Sequence, residues 1–66
     1  MKVVLYTTHC PKCSVLEKKL SAKNINYSEV TDVEIMTKKG FDAVPILEVD
    51  GITMDFKAAN TWINEQ

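Results

Sequence analysis

The chain has 66 residues, 45% of them hydrophobic, with eight lysines, no arginine, nine acidic residues and a net charge of −1 at neutral pH. That length supports one small domain spanning residues 1–66, and chains below roughly 70–80 residues build shallow cores that often need a staple. The balanced charge argues against nucleic acid or an anionic membrane as partner, and the lack of arginine removes the planar fork used for bidentate phosphate recognition. No apolar stretch of membrane-spanning length and no leader-type N-terminus is evident. A cytoplasmic monomer is therefore expected, in a compartment where closely spaced cysteines are catalytic or metal-binding more often than structural.

Val3-Val4-Leu5-Tyr6 is a continuous apolar run, as expected of a central strand covered on both faces. Thr8-His9-Cys10-Pro11-Lys12-Cys13 follows, with both cysteines and the only histidine. The run from Cys13 to Lys23 places Leu16 and Leu20 on one face with Cys13, which predicts an amphipathic helix. Pro11 suits its first turn, where an amide would be unpaired anyway. Asn24 and Asn26 supply turn chemistry, and Ile25 to Val30 reads as a second strand, more polar and so nearer an edge.

Thr31-Asp32-Val33-Glu34 fits the capping-box pattern, opening a short helix through Lys39 that Gly40 ends. Phe41 to Val44 is a connector, and Pro45 to Val49 a third strand beginning with proline. Asp50-Gly51 is a two-residue hairpin signal, returning through Ile52-Thr53-Met54. Asp55 caps a last helix whose apolar face is Phe56, Ala59, Trp62 and Ile63. The predicted order is β-α-β-α-β-β-α, an α/β fold with the first two strands parallel across a helical crossover and the last pair a hairpin.

The chemistry concentrates at Cys10 and Cys13. Three residues apart on a helix start, their Cα atoms lie about 5–5.5 Å apart, inside the disulfide window of roughly 4.4–6.8 Å. A bond between them closes so small a loop that chain entropy credits it with only about 2 kcal/mol, so its value is chemical. Cys10 projects from the helix N-terminus, where unpaired amides and the positive dipole end stabilise a thiolate, and Lys12 adds a nearby positive charge. Near pH 7 about 3% of a thiol is ionised when its pKa is about 8.5, and about 90% when it is about 6. Cys10 is thus the expected attacker, and Cys13, one turn in and facing the apolar side, the expected resolving thiol, protonated until needed. His9 is either a polar loop residue or a group that tunes the Cys10 thiolate. The same two thiols also fit half of a zinc site, a metal bridge between two chains, or two inert buried cysteines; intrachain zinc is short of ligands, with only His9 and distant carboxylates to complete four.

The Cys-Pro-Lys-Cys motif after the first strand, with Val44-Pro45 before a hairpin, resembles the glutaredoxins. It is also similar to the small glutaredoxin-like thioredoxins that donate electrons to ribonucleotide reductase. The likeness spans essentially the whole chain. It implies a minimal thioredoxin fold, a four-stranded mixed sheet with the first and third helices on one face and the second on the other. It implies dithiol–disulfide exchange on disulfide-containing protein substrates or glutathione mixed disulfides, with no bound cofactor or metal, recharged by glutathione or by a thioredoxin-type reductase. In this family the proline matching Pro45 is cis, and the backbone matching Val44 pairs with an extended substrate. Lys12 and Lys38 are placed to meet glutathione carboxylates, and Asp55 a glutathione amine. This sequence departs from the glutaredoxin pattern in three ways: it has Thr7-Thr8-His9 without a lysine before the motif, Lys12 for the usual aromatic, and Met54-Asp55-Phe56 without the Gly-Gly. The last departure leans toward a donor serving one dedicated partner.

Overall fold

The computed structural model describes every residue from Met1 to Gln66. Its elements run β1 (Val3–Tyr6), α1 (Pro11–Ala22), β2 (Ser28–Val30), α2 (Val33–Lys38), β3 (Ile46–Val49), β4 (Ile52–Met54) and α3 (Phe56–Asn64). The strands form one mixed sheet in the order β2-β1-β3-β4. β1 is parallel to β2 and antiparallel to β3, and β3 is antiparallel to β4. The apolar β1 therefore lies inside the sheet, and all four of its residues are buried.

Strand side chains alternate between faces, and this splits the core in two. Val3 and Leu5 of β1, with Leu47 and Val49 of β3, pack on Leu16 and Leu20 of α1 and on Ala59 and Ile63 of α3. Val4 and Tyr6 face the other way, onto Met36 of α2, with Val30, Phe41, Val44 and Ile46 around them. The first and third helices thus share one face and the second covers the other, as expected. Trp62 and Phe56 are partly buried against the larger cluster. Tyr6 belongs to the smaller core, its ring edge-on to Phe41 with centroids 4.9 Å apart.

The helix ends follow from local chemistry. At the end of α1 the Ile25 amide donates to the Leu20 carbonyl at 3.0 Å and the Asn24 amide to Ser21 at 3.0 Å. Asn24 adopts φ 57°, the left-handed residue this closure needs. Gly40, at φ 82°, repeats the device after α2, where the Phe41 amide reaches the Met36 carbonyl at 2.9 Å. Asp50 and Gly51 both have positive φ, 49° and 86°, which makes the β3–β4 turn the twisted two-residue type that their sequence signals. Asp55 caps α3, its carboxylate accepting from the Ala58 amide at 2.8 Å.

Four local expectations are corrected. α1 begins at Pro11 and ends at Ala22, with Lys23 as its cap. β2 begins at Ser28 rather than Ile25, because its ladder starts opposite Val4; Ile25 and Tyr27 pack on the core without pairing. The cap of α2 is Asp32, not Thr31: the Asp32 carboxylate accepts from the Glu34 amide at 2.9 Å, a contact that starts the helix one residue later. β3 begins at Ile46, after Pro45, which has no amide to donate.

Replacing Leu47, fully buried between β1 and the helices, by alanine should cost about 2–5 kcal/mol in urea unfolding. Ile52→Ala, at a residue 68% exposed, should stay within about 0.5 kcal/mol.

Candidate functional site

The site grows out of the end of β1. The Thr7 amide prolongs the ladder by donating to the Val30 carbonyl at 3.0 Å, and its side chain turns inward, fully buried. His9 then takes φ 60°, a left-handed conformation costing a non-glycine residue roughly 1–2 kcal/mol. Two contacts offset this: the His9 amide donates to Thr7 Oγ1 at 3.0 Å, and ring Nδ1 lies 3.2 Å from Glu17 Oε2. The tight turn delivers Cys10 to the N-cap of α1 in extended conformation, with φ −69° and ψ 169°.

At that cap the Cys10 carbonyl accepts the first helical bond, from the Ser14 amide at 2.8 Å. Cys10 Sγ accepts the Cys13 amide at 3.2 Å. A sulfur thus does what a serine or aspartate oxygen does at an ordinary cap. Pro11, at the first helical position, has no amide to leave unpaired. Both cysteines are free thiols, Cys10 half-buried and Cys13 fully buried one turn in.

Burial pushes the Cys13 thiol up, but hydrogen bonding with the Cys10 sulfur, the Thr7 hydroxyl and the backbone of Thr8 and Cys10 outweighs it. The net displacement is downward. Cys10 is the member of the pair that accepts the helix amide and has access to solvent.

Two grooves reach the neighbours of the pair, Lys12 and Thr8, and neither cysteine lines them. One, of about 290 Å³, is lined by Lys12, Val44, Pro45, Asp55, Phe56 and Lys57 among others. The other, of about 180 Å³, has Thr8, Val33, Met36, Phe41 and Val44 in its walls. Val44 is common to both, so the residues two before and two after Cys10 each share a groove with it. The Val44–Pro45 peptide is cis and Pro45 is buried. Lys12 Nζ lies 5.6 Å from the Phe56 ring centroid, a cation over an aromatic face. The structure therefore brings Lys12, Val44, Pro45 and Asp55 around one groove, while Lys38 is exposed and lines neither. A larger concavity, about 460 Å³, runs along the outer side of α3 from Asp55 to Glu65, and neither cysteine lines it.

The His9 ring makes no hydrogen bond to Cys10. Its Nδ1 is bonded to Glu17 and its Nε2 lies 3.9 Å from Glu29. Sequence reading missed the residues beneath it: Thr7 Oγ1 donates to Glu17 Oε2 at 2.9 Å, and Tyr27 OH to Glu29 at 3.3 Å. The available signals were a threonine ending an apolar strand and a glutamate one turn after Cys13 on α1. Burial, then the charges of Glu29 and Glu17, hold the Tyr27 phenol above its usual range. No group of three or more His, Cys, Asp or Glu side chains is arranged to hold a metal ion, and no helix is long and apolar enough to cross a membrane.

The molecule is thus a small mixed α/β domain with a four-stranded mixed sheet and three helices, carrying a free dithiol at a helix N-terminus. A scan against protein-family models found no matching family, and a search of curated proteins found no match.

The lowered thiol makes stability depend on pH in a definite sense. Between its folded value and the ordinary value of about 8.5, the folded chain holds fewer protons than the unfolded one. Stability of the reduced protein should rise with pH through that window, level off above it, and be lost on acidification through the folded value. Urea midpoints across about pH 6 to 9 should show this rise. A double variant carrying Cys10→Ser and Cys13→Ser should be flat.

Proposed function

We propose that the chain is a thiol–disulfide oxidoreductase of glutaredoxin-like type on a minimal thioredoxin fold, acting in electron transport and cell redox homeostasis. The observation that carries this reading is the 3.2 Å contact from the Cys13 amide to Cys10 Sγ at the cap of α1, with Cys13 buried directly behind. A helix amide and the dipole end favour negative sulfur at the position that solvent and substrate can reach.

In the first step Cys10 thiolate attacks a substrate disulfide, forming a mixed disulfide and expelling one substrate thiolate. In the second, Cys13 thiolate attacks Cys10 Sγ, the substrate's second sulfur leaves as thiolate, and the Cys10–Cys13 disulfide remains. Two electrons pass to the substrate. The Val44 backbone beside both grooves suits strand-like pairing with an extended disulfide-bearing segment. In this reading Lys12 and Asp55, which line one groove with Val44 and Pro45, would meet the charged ends of a glutathione moiety, and glutathione is then the reductant.

A second reading is favoured by Met54-Asp55-Phe56. One Asp55 oxygen is engaged in capping α3, at 2.8 Å from the Ala58 amide. That leaves a reduced polar set for glutathione and suits a donor to one dedicated protein partner, recharged by a thioredoxin-type reductase.

Cys13→Ser should accumulate a mixed disulfide at Cys10 that mass spectrometry detects, and Cys10→Ser should abolish turnover; full dithiol activity in Cys10→Ser would overturn the assignment. Reduction of the oxidised protein by glutathione alone, or by a thioredoxin reductase alone, separates the two readings.

A further inference from the structure

Lys12 stands between the two cysteines in sequence and lines the groove that also holds Val44 and Pro45. Its Nζ lies 5.6 Å from the ring centroid of Phe56, another residue of that groove, so the aromatic face keeps the ammonium beside it. Lys57 adds a second cation to the lining. Neither lysine is in an ion pair; the ion pairs of the molecule are those of His9 with Glu17 and Glu29. The groove's one carboxylate, Asp55, is turned to the cap of α3, where it accepts the Ala58 amide at 2.8 Å. A space of about 290 Å³ thus carries two cations to one anion, on a chain whose net charge is −1. The positive excess is local. On the other side of Val44 the sign reverses, because the only charged residue lining the second groove is Asp42.

Resting on the dithiol mechanism above, we propose that the Lys12–Lys57 groove selects protein disulfides flanked by acidic residues. Lys12 and Lys57 take the carboxylates of an extended segment while its cysteine meets Cys10. Such a segment suits the groove better than glutathione does. Glutathione brings an ammonium as well as carboxylates, and the one carboxylate there to receive it already caps a helix. Ion pairs at exposed positions change rates by only a few fold each, so two acting together give about a tenfold preference. Salt weakens it, since screening acts over about 10 Å at 0.1 M.

The test mixes the full chain, reduced, with disulfide-linked dimers of short peptides. Each peptide has a central cysteine with either aspartates or asparagines before it or after it. One reaction turns one peptide disulfide into two peptide thiols and leaves the Cys10–Cys13 disulfide. Its rate is divided by that of dithiothreitol with the same peptide, which removes the peptide's own reactivity. In dilute salt one placement of the aspartates should be favoured about tenfold over its asparagine counterpart, and the ratio should fall toward unity at about 0.5 M salt. Lys12→Gln and Lys57→Gln should each cut the preference about threefold, and together they should abolish it. Lys12→Glu should turn it toward peptides bearing lysine. Lys18→Gln removes the same charge from an exposed site on α1 outside both grooves, and should keep the preference. No preference in the wild type, or one that survives the double variant, overturns the acidic-segment groove and leaves the dithiol mechanism standing. So does a loss confined to glutathione disulfide, which would make this a glutathione groove. A reduced chain that acts on neither the peptide disulfides nor glutathione disulfide overturns both.

Discussion

One sulfur caps one helix, and the site is arranged around that contact. The Cys13 amide lies 3.2 Å from Cys10 Sγ and must find an acceptor, because the first turn of any helix has donors without intrahelical partners. Proline at the next position removes one such donor, and Cys10 Sγ takes another. The same bond holds the two sulfurs in register on one turn. Losing it would cost both the cap and the dithiol geometry.

That cap depends on the turn that delivers it. His9 must be left-handed, at φ 60°, for β1 to feed α1 over so short a connection. The roughly 1–2 kcal/mol this costs is comparable to its two hydrogen bonds, each about 0.5–1.5 kcal/mol. Both contacts lead to Thr7 and Glu17. A buried hydroxyl without partners would cost about 1–3 kcal/mol, so the Thr7–Glu17 bond is as much a condition of the fold as a feature of the site. Structure and chemistry share the same few polar atoms.

Around this centre the sheet supplies rigidity. β1 has partners on both edges and helices on both faces, so the residue that ends it, Thr7, is fixed from every side. The opposite wall is the Val44–Pro45 segment, held by Val44 packing into the smaller core and by the burial of Pro45. The two grooves diverge from Val44, one carrying Lys12, Asp55 and Lys57 beside Pro45 and Phe56, the other Thr8, Thr37 and Asp42 beside Val33, Met36 and Phe41.

Local patterns were legible in the sequence wherever a few neighbouring residues decide the outcome. The unbroken apolar run of β1, the Asp50-Gly51 turn, the Asp55 cap, the Gly40 stop and the Cys10–Cys13 spacing each carry their own physical cause, and each is where it was expected. Boundaries slipped where the competing signals were local too: Thr31 and Asp32 are both good caps, and only the approach of the Glu34 amide to Asp32 selects one. Tertiary structure alone decided what distant segments bring together. Ile25 and Tyr27 look like strand residues but pack on the core without pairing, since the ladder with β1 begins only at Val4 opposite Ser28. Thr7, Glu17 and Glu29 are ordinary polar residues in the sequence. They converge around His9 and Cys13 only because parallel pairing lays β2 beside β1 and packing lays α1 across them, and hydrogen bonds between side chains far apart in sequence leave no periodic trace in it.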